Sequence, residues 1–251
     1  RTIILDITNQ KRFLKKIEEI SPDIIINCVG ILSKGSKENI KNAIYINSYF
    51  PHLLKETCKT TNSKLIHIST DCVFSGKSGN YSENSIKDAL DIYGKTKSLG
   101  EVIDDKHLTI RTSVIGPELK KDGEQLFNWF MSEEGEIEGF SDAIWSGVTS
   151  LELARGVKWA IDHDIFGLYQ LTNGSPISKN EILQLFKKYT NKEILIRPIT
   201  GINIDKSFTD SRKLINYEIP TYETMILEMV DFIKKHLDLY PHYKLKDFNS
   251  Q

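Results

Sequence analysis

Over the first two thirds of the chain, short β-branched apolar runs alternate with stretches in which apolar residues recur every three or four positions. The first kind suits a strand buried on both faces, the second a helix with one apolar stripe. TIILDI (2–7) therefore predicts a strand, and KRFLKKIEEI a helix with Phe13, Leu14, Ile17 and Ile20 on one side. PDIIINCVG predicts a second strand, opened by Pro22. In ENIKNAIYINSYFPHLLKETCK, Ala43, Ile46, Phe50, Leu53, Leu54 and Cys58 fall at helical spacing, giving a long helix interrupted by Pro51. KLIHIST (64–70) predicts a third strand, 92–103 a third helix and LTIRTSVIG (108–116) a fourth strand. Alternation of this kind builds a doubly wound parallel α/β sheet.

The regularity drops after Pro117. GEQLFNWFMSEEG reads as a short amphipathic helix, SGVTSLELARGVKWAIDH as a strand end running into a helix, and GLYQLTNG as a strand. SKNEILQLFKKYT starts on Ser178, a residue type that caps helix N-termini, and YETMILEMVDFIKKHL is the last clear helix. The expected organisation is a sheet-based core over 1–117 and a smaller lobe over 118–251, with a strand near 167–173 returning to the sheet.

Composition narrows the class. With 39% hydrophobic and 27% charged residues over 251 positions, the chain is an ordinary globular protein with enough sequence to bury a sizeable core. Thirty-three basic and 34 acidic residues leave a formal charge of −1, which offers no overall field for nucleic acid or an anionic membrane. The longest apolar run, IIINCVGIL (24–32), is far short of the roughly 20 residues that span a bilayer. Cys28, Cys58 and Cys72 show neither CxxC nor metal-ligand spacing, so a reducing, cytoplasmic setting without zinc is expected. No signal peptide is visible, although the chain opens on Arg1 rather than methionine.

Ligands of open parallel sheets bind beyond the carboxyl ends of the strands. Thr70 stands at such an end, where its hydroxyl can serve a substrate oxygen or simply close the strand. Tyr93 and Lys97 share one face of the helix that follows. A phenol with an ordinary pKa of about 10 exchanges protons poorly at neutral pH unless positive charge stands beside it, and Lys97 is such a neighbour. Spacing alone leaves the pair open, because Tyr240 and Lys244 in YPHYK repeat it in what reads as a tail. Pro51, lacking an N–H, frees the carbonyl of Asn47 four residues back. That predicts either a tolerated kink with a buried water or a water site feeding a proton relay toward Lys97. His67 and Arg111 lie within strands and read as satisfied structural residues.

STDCVFSG, then YSEN, then IYGKTKSLGE, with INCVG upstream and LTIRTSVIG downstream, resembles the extended short-chain dehydrogenases/reductases. The nearest look-alikes are the dTDP-4-dehydrorhamnose reductases and related sugar-nucleotide reductases. The resemblance implies a Rossmann-like fold and reduction, with NADP or NAD as cofactor, of a keto group on a nucleotide-linked sugar for polysaccharide precursors. It implies Thr70 as the catalytic hydroxyl, Tyr93 as the acid, Lys97 as the residue that holds the nicotinamide ribose and lowers the tyrosine's pKa, and Asn47 as the helix asparagine. Asp6 and Ile7 match the segment near the adenine, and Val29 and Gly30 the loop passing the cofactor. A homo-oligomer is also implied.

Three departures qualify the expectation. The glycine-rich turn that binds a pyrophosphate is absent, so the chain reads as N-terminally truncated, lacking a first βαβ unit of at least roughly 30 residues. Cys72 stands where the rhamnose enzymes usually have tyrosine, and Val114 where they often have tryptophan. GFSDAIWSGVT replaces their late substrate-loop pattern. Asp71, Cys72, Trp129, Trp145 and Ser146 are the candidate substrate contacts, the tryptophans doubling as candidates for lobe core. The competing expectations are a nucleotide-sugar epimerase or dehydratase on the same scaffold, or a non-catalytic subunit like the regulatory subunit of methionine adenosyltransferase.

Overall fold

The computed structural model describes residues 2–209 and 216–245. Its elements begin with α1 (Gln10–Ile20), β1 (Ile24–Asn27), α2 (Ser33–Glu38), α3 (Ile40–Ala43), a π-helical segment (Ile44–Tyr49) and α4 (Phe50–Thr61). Next come β2 (Lys64–Thr70), a 3-10 turn (Asp71–Val73), α5 (Ile92–Leu99), β3 (Leu108–Thr112), β4 (Val114–Ile115) and α6 (Leu126–Ser132). The remainder is β5 (Gly135–Phe140), β6 (Ala143–Trp145), β7 (Val148–Thr149), α7 (Ser150–Asp162), β8 (Gly167–Gln170), β9 (Ile177–Ser178), α8 (Lys179–Thr190), β10 (Ile194–Ile199), β11 (Ile204–Asp205) and α9 (Tyr222–Lys235).

The chain divides into two compact units. The first comprises Arg1–Val73, Lys87–Arg111 and Ile165–Tyr169. It is organised on a four-stranded sheet in the order β1-β2-β3-β8. β1 and β2 run parallel, with Ile24 opposite Lys64 and Asn27 opposite His67. Phe13 of α1 meets Phe50 of α4 edge-on at 5.1 Å, and around them Leu54, Cys58, Leu65 and Val102 are buried. Each such aliphatic or aromatic side chain contributes about 1.5–3 kcal/mol on burial. That core fixes α1 and α4 on one face of the sheet and so determines where the β2 carboxyl end and α5 stand.

Three expectations change in this unit. Residues 2–7 form no strand: Ile3 and Ile4 are 46% and 92% exposed, and only Leu5 and Ile7 reach the core. A strand needs a ladder partner for its N–H and C=O groups, and among the described residues none lies beside this segment. Nor does Pro51 interrupt the long helix. The backbone widens into the π-helical segment, in which Phe50 N–H donates to Tyr45 O, and Pro51 then occupies the first turn of α4, where no N–H is required. The third helix is also shorter than 92–103, ending at Leu99 with Gly100 as its cap.

The second unit comprises Phe74–Ile86, Thr112–Asp164 and Gln170–Gln251. Its strands make a parallel β5–β10 pair, a β11-β6-β9 sheet and a parallel β4–β7 pair. Phe127 and Phe130 of α6 pack on Phe186 of α8 at 5.0 and 5.5 Å, and α9 buries Met225, Ile226, Met229, Val230 and Ile233. Ser178 caps α8 in a full capping box with Glu181, as its position predicts. Tyr240 is no tail residue: it is 8% exposed and stacks on Tyr243, whose hydroxyl accepts from Glu118 N–H and donates to Asn128. Its aromatic area is what ties that segment down.

Candidate active site

β2 ends on Thr70, and the 3-10 turn carries Asp71 and Cys72 away from it. The Thr70 hydroxyl donates to Asp71 Oδ1 at 3.1 Å and accepts from the Cys72 N–H at 3.2 Å. Both Thr70 and Asp71 are buried, while Cys72 is half-buried and forms no disulfide. α5 starts on Asp91, whose carboxylate accepts from Gly94 N–H at 2.7 Å. Gly94 is what lets this first turn close on the strand end: a Cβ there would lie 2.0 Å from the Cys72 carbonyl oxygen. Tyr93 is thereby brought beside Thr70 and Cys72.

Burial pushes the Tyr93 phenol above its ordinary value; the Cys72 thiol, Asp71 and Asp91 push the same way, and a side-chain hydrogen bond with Thr70 opposes them. The net direction is upward, so at neutral pH Tyr93 holds its proton. One turn on, Lys97 is buried and donates to the Ile68 carbonyl of β2 at 2.6 Å. Burial lowers the Lys97 pKa to about 8, against the upward pull of Glu101 and Cys28.

Asn47 lies in the π-helical segment, fully buried. Its Oδ1 accepts from Ile31 N–H at 2.8 Å, and its Nδ2 donates to Ile31 O at 2.9 Å and to Thr96 Oγ1 at 3.2 Å. The amide thus clamps the loop after β1 to α5, and its hydrogen bonds run to Ile31 and Thr96, with none to Lys97. Val29 and Gly30 are exposed in that loop, with Val29 N–H donating to Asn27 Oδ1 at 3.1 Å. Asp6 is exposed; its carboxylate accepts from Thr8 N–H, which with the Thr8 hydroxyl holds its pKa down. Ile7 is half-buried, its carbonyl accepting from Tyr45 OH at 3.2 Å.

The first unit therefore brings together Asn47, Thr70, Asp71, Cys72, Tyr93 and Lys97. The three remaining candidates belong to the second unit. Trp129 is 36% exposed on α6, whereas Trp145 is buried against Tyr222 at 5.6 Å with Lys179 over its ring at 5.5 Å. Ser146 is buried, its hydroxyl accepting from Phe208 N–H at 2.7 Å. Trp145 and Ser146 thus serve the unit's own packing.

Two findings lie outside the sequence reading. A cluster of buried Ser69, Glu101 and Arg111, joined from the surface by Lys87, stands beside the site. His67, expected to be satisfied, is only half so: Nδ1 meets Asn27 Nδ2 at 3.0 Å, while Nε2 is buried without a partner among the described residues. Among the described residues no three His, Cys, Asp or Glu side chains gather to hold a metal ion, and no helix is long and apolar enough to cross a membrane.

Fold and neighbours define a Rossmann-like α/β protein of the extended short-chain dehydrogenase/reductase class. Residues 2–209 match the RmlD substrate binding domain, and the chain belongs to that family. It is 36% identical over 115 residues to a dTDP-4-dehydrorhamnose reductase of Aggregatibacter actinomycetemcomitans, the match covering 43% of this chain and 39% of that protein. It is 27% identical over 203 residues to the spore coat polysaccharide biosynthesis protein SpsK of Bacillus subtilis, covering 78% of this chain and 71% of SpsK. The chain thus spans about two fifths of the first relative's length. Among solved structures, the dTDP-4-dehydrorhamnose reductase of Bacillus anthracis in complex with NADP superposes with a TM-score of 0.79 at 25% identity, over 92% of this chain and 87% of that one.

Proposed function

We propose that this chain carries the proton-transfer site of an NADP- or NAD-dependent reductase that converts a keto group on a nucleotide-linked sugar to an alcohol. The observation that supports it best is the juxtaposition of Thr70, Tyr93 and Lys97 at the carboxyl end of β2. In this reading Thr70 holds the substrate carbonyl oxygen and Tyr93 gives that oxygen a proton as the carbonyl carbon is reduced. A raised phenol pKa suits this direction, since the donor is loaded at neutral pH and the nascent alkoxide is the stronger base.

The donor set fits a nicotinamide ribose. The Lys97 ammonium has three N–H groups and spends one on Ile68 O, leaving two for hydroxyl oxygens. Lys97 and Tyr93 are proposed to hold the ribose, Val29 and Gly30 to line the passage of the cofactor, and Asp6 and Ile7 to lie toward its adenine. Bound there, the reduced nicotinamide supplies the hydride. Asn47 is a positioning residue, holding the loop after β1 against α5. Asp71 and Cys72 are proposed as substrate contacts, and residues 118–251 as most of the substrate lobe. A cytoplasmic enzyme of polysaccharide precursor synthesis is the setting this chemistry suits.

The test is to mix the protein with NADPH or NADH and a panel of nucleotide-linked keto-hexoses, following nicotinamide absorbance and product. Net oxidation of the cofactor with formation of the alcohol is expected. Product without net cofactor consumption means an epimerase or dehydratase instead, and the absence of both product and cofactor binding overturns the proposal.

A further inference from the structure

Glu101, just beyond the Gly100 cap of α5, has a carboxylate wholly removed from solvent. Its Oε1 accepts from the Ser69 hydroxyl at 2.7 Å and from Arg111 Nε at 2.9 Å. Its Oε2 accepts from Arg111 Nη2 at 2.9 Å and Lys87 Nζ at 3.0 Å. Ser69 immediately precedes Thr70 on β2, Arg111 belongs to β3, and Lys87 precedes α5. One carboxylate therefore joins two neighbouring strands to the end of the helix that bears Tyr93 and Lys97.

A buried bidentate pair has a narrow range of acceptable geometry, because moving either partner exposes an uncompensated charge to the interior. We propose, building on the function read above, that Glu101 is a positioning residue of the site. It sets the offset of α5 along β2, and so the placement of Tyr93 and Lys97 relative to Thr70, and it keeps a negative charge beside the Lys97 ammonium.

The charges around each group agree with this role. Lys97 is faced by Glu101 from its own helix end, by Cys28 from the loop after β1, and by His67 and the Ile68 carbonyl from β2. Glu101 and Cys28 favour its charged form. Glu101 itself is opposed by burial, but Arg111, Lys87 and Ser69 together hold its pKa below the ordinary carboxylate value. It is therefore ionised wherever the protein is folded near neutrality.

The test is titration of Lys97 in the full chain by NMR of 13Cε-labelled lysine, with the resonance assigned against Lys97→Met. Glu101→Gln keeps the shape and removes the charge, and the Lys97 midpoint is expected to fall by about one pH unit. A folded Glu101→Gln protein that titrates like the parent overturns the proposal. Should that variant fail to fold, Lys87→Met, altering a side chain 31% exposed, leaves the Glu101 charge less neutralised, so the Lys97 midpoint is expected to rise. An unchanged or lower midpoint there also overturns it. Ser69→Ala cuts only the arm to β2, and in the reductase assay kcat is expected to fall about tenfold with KM for the sugar substrate unchanged; loss in KM alone overturns the positioning of Thr70. Because the titration requires no turnover, a shifted Lys97 in a protein that reduces nothing sinks the functional reading and leaves the electrostatic role intact.

Discussion

Gly100 stands so close to Asn47 that a Cβ on it would lie 1.9 Å from the Asn47 carbonyl oxygen. This is the carbonyl that Pro51, having no N–H, cannot serve. A glycine hydrogen points at it instead, in the geometry of a weak C–H···O contact. Around it the Ser48 hydroxyl donates to Thr96 O at 2.8 Å, and a His52 ring nitrogen lies 2.8 Å from Leu99 O. The π-helical segment and α5 are thus fitted backbone to backbone.

Gly100→Ala should therefore be destabilising. Gly100 has φ −84 and ψ −4, a conformation alanine adopts without strain, so on conformational grounds alone alanine would stabilise by about 0.4–1 kcal/mol. The contact with Asn47 reverses the sign, since backbone cannot yield as a flexible side chain can, and overpacking costs about 1–3 kcal/mol. A urea midpoint unchanged or raised in Gly100→Ala would show that the two helices are free to separate.

Tyr93→Phe removes only the phenolic oxygen from a half-buried ring, so packing and fold should survive. If Tyr93 is the proton donor, single-turnover reduction should slow by about 10²–10⁴-fold, the range for general acids. Cofactor affinity by calorimetry should change little, because Lys97 keeps its N–H groups. Full activity in this variant would remove Tyr93 from the chemistry.

The repeating strand and helix pattern located β2 to the residue, and it placed α1, α8 and α9 closely, because each element buries a continuous apolar face that its sequence must display. Residues 2–7 mislead for the opposite reason: Ile3, Ile4 and Leu5 carry strand propensity, but hydrogen-bond pairing is a property of a neighbour and not of the segment. The π-helical widening at 44–49 was foreshadowed by Pro51, whose missing N–H is local, although the answering glycine at 100 is not. The order of Thr70, Tyr93 and Lys97 in the chain foreshadowed their meeting at the end of β2. The Glu101 cluster was not legible, since its members stand at 69, 87, 101 and 111 and only the fold makes them neighbours. A serine followed at long range by an acid and an arginine has no spacing to recognise.

Lys97 provides a prediction about stability with a defined sign. Its folded pKa is about 8 against an ordinary 10.5, so burial disfavours its charged form. Below pH 8 the lysine is charged in both the folded and unfolded chain, and the folded state bears the whole penalty, roughly 3 kcal/mol for a displacement of this size. Between pH 8 and 10.5 the unfolded chain binds a proton that the folded one has released, so stability rises with pH. Above 10.5 both states are neutral and the penalty is gone. Lys97→Met, which preserves the stem's bulk without the charge, should therefore be more stable than the parent at pH 7 by up to that amount, less the lost bond to Ile68 O. Its advantage should shrink steadily from pH 8 to 10.5. Urea unfolding of the two proteins across pH 7 to 10.5 measures the difference directly, with titrations elsewhere in the chain cancelling between them. A gap that stays flat across the window would place the ammonium in contact with water, and would undo the case for Lys97 as a buried group whose charge depends on Glu101.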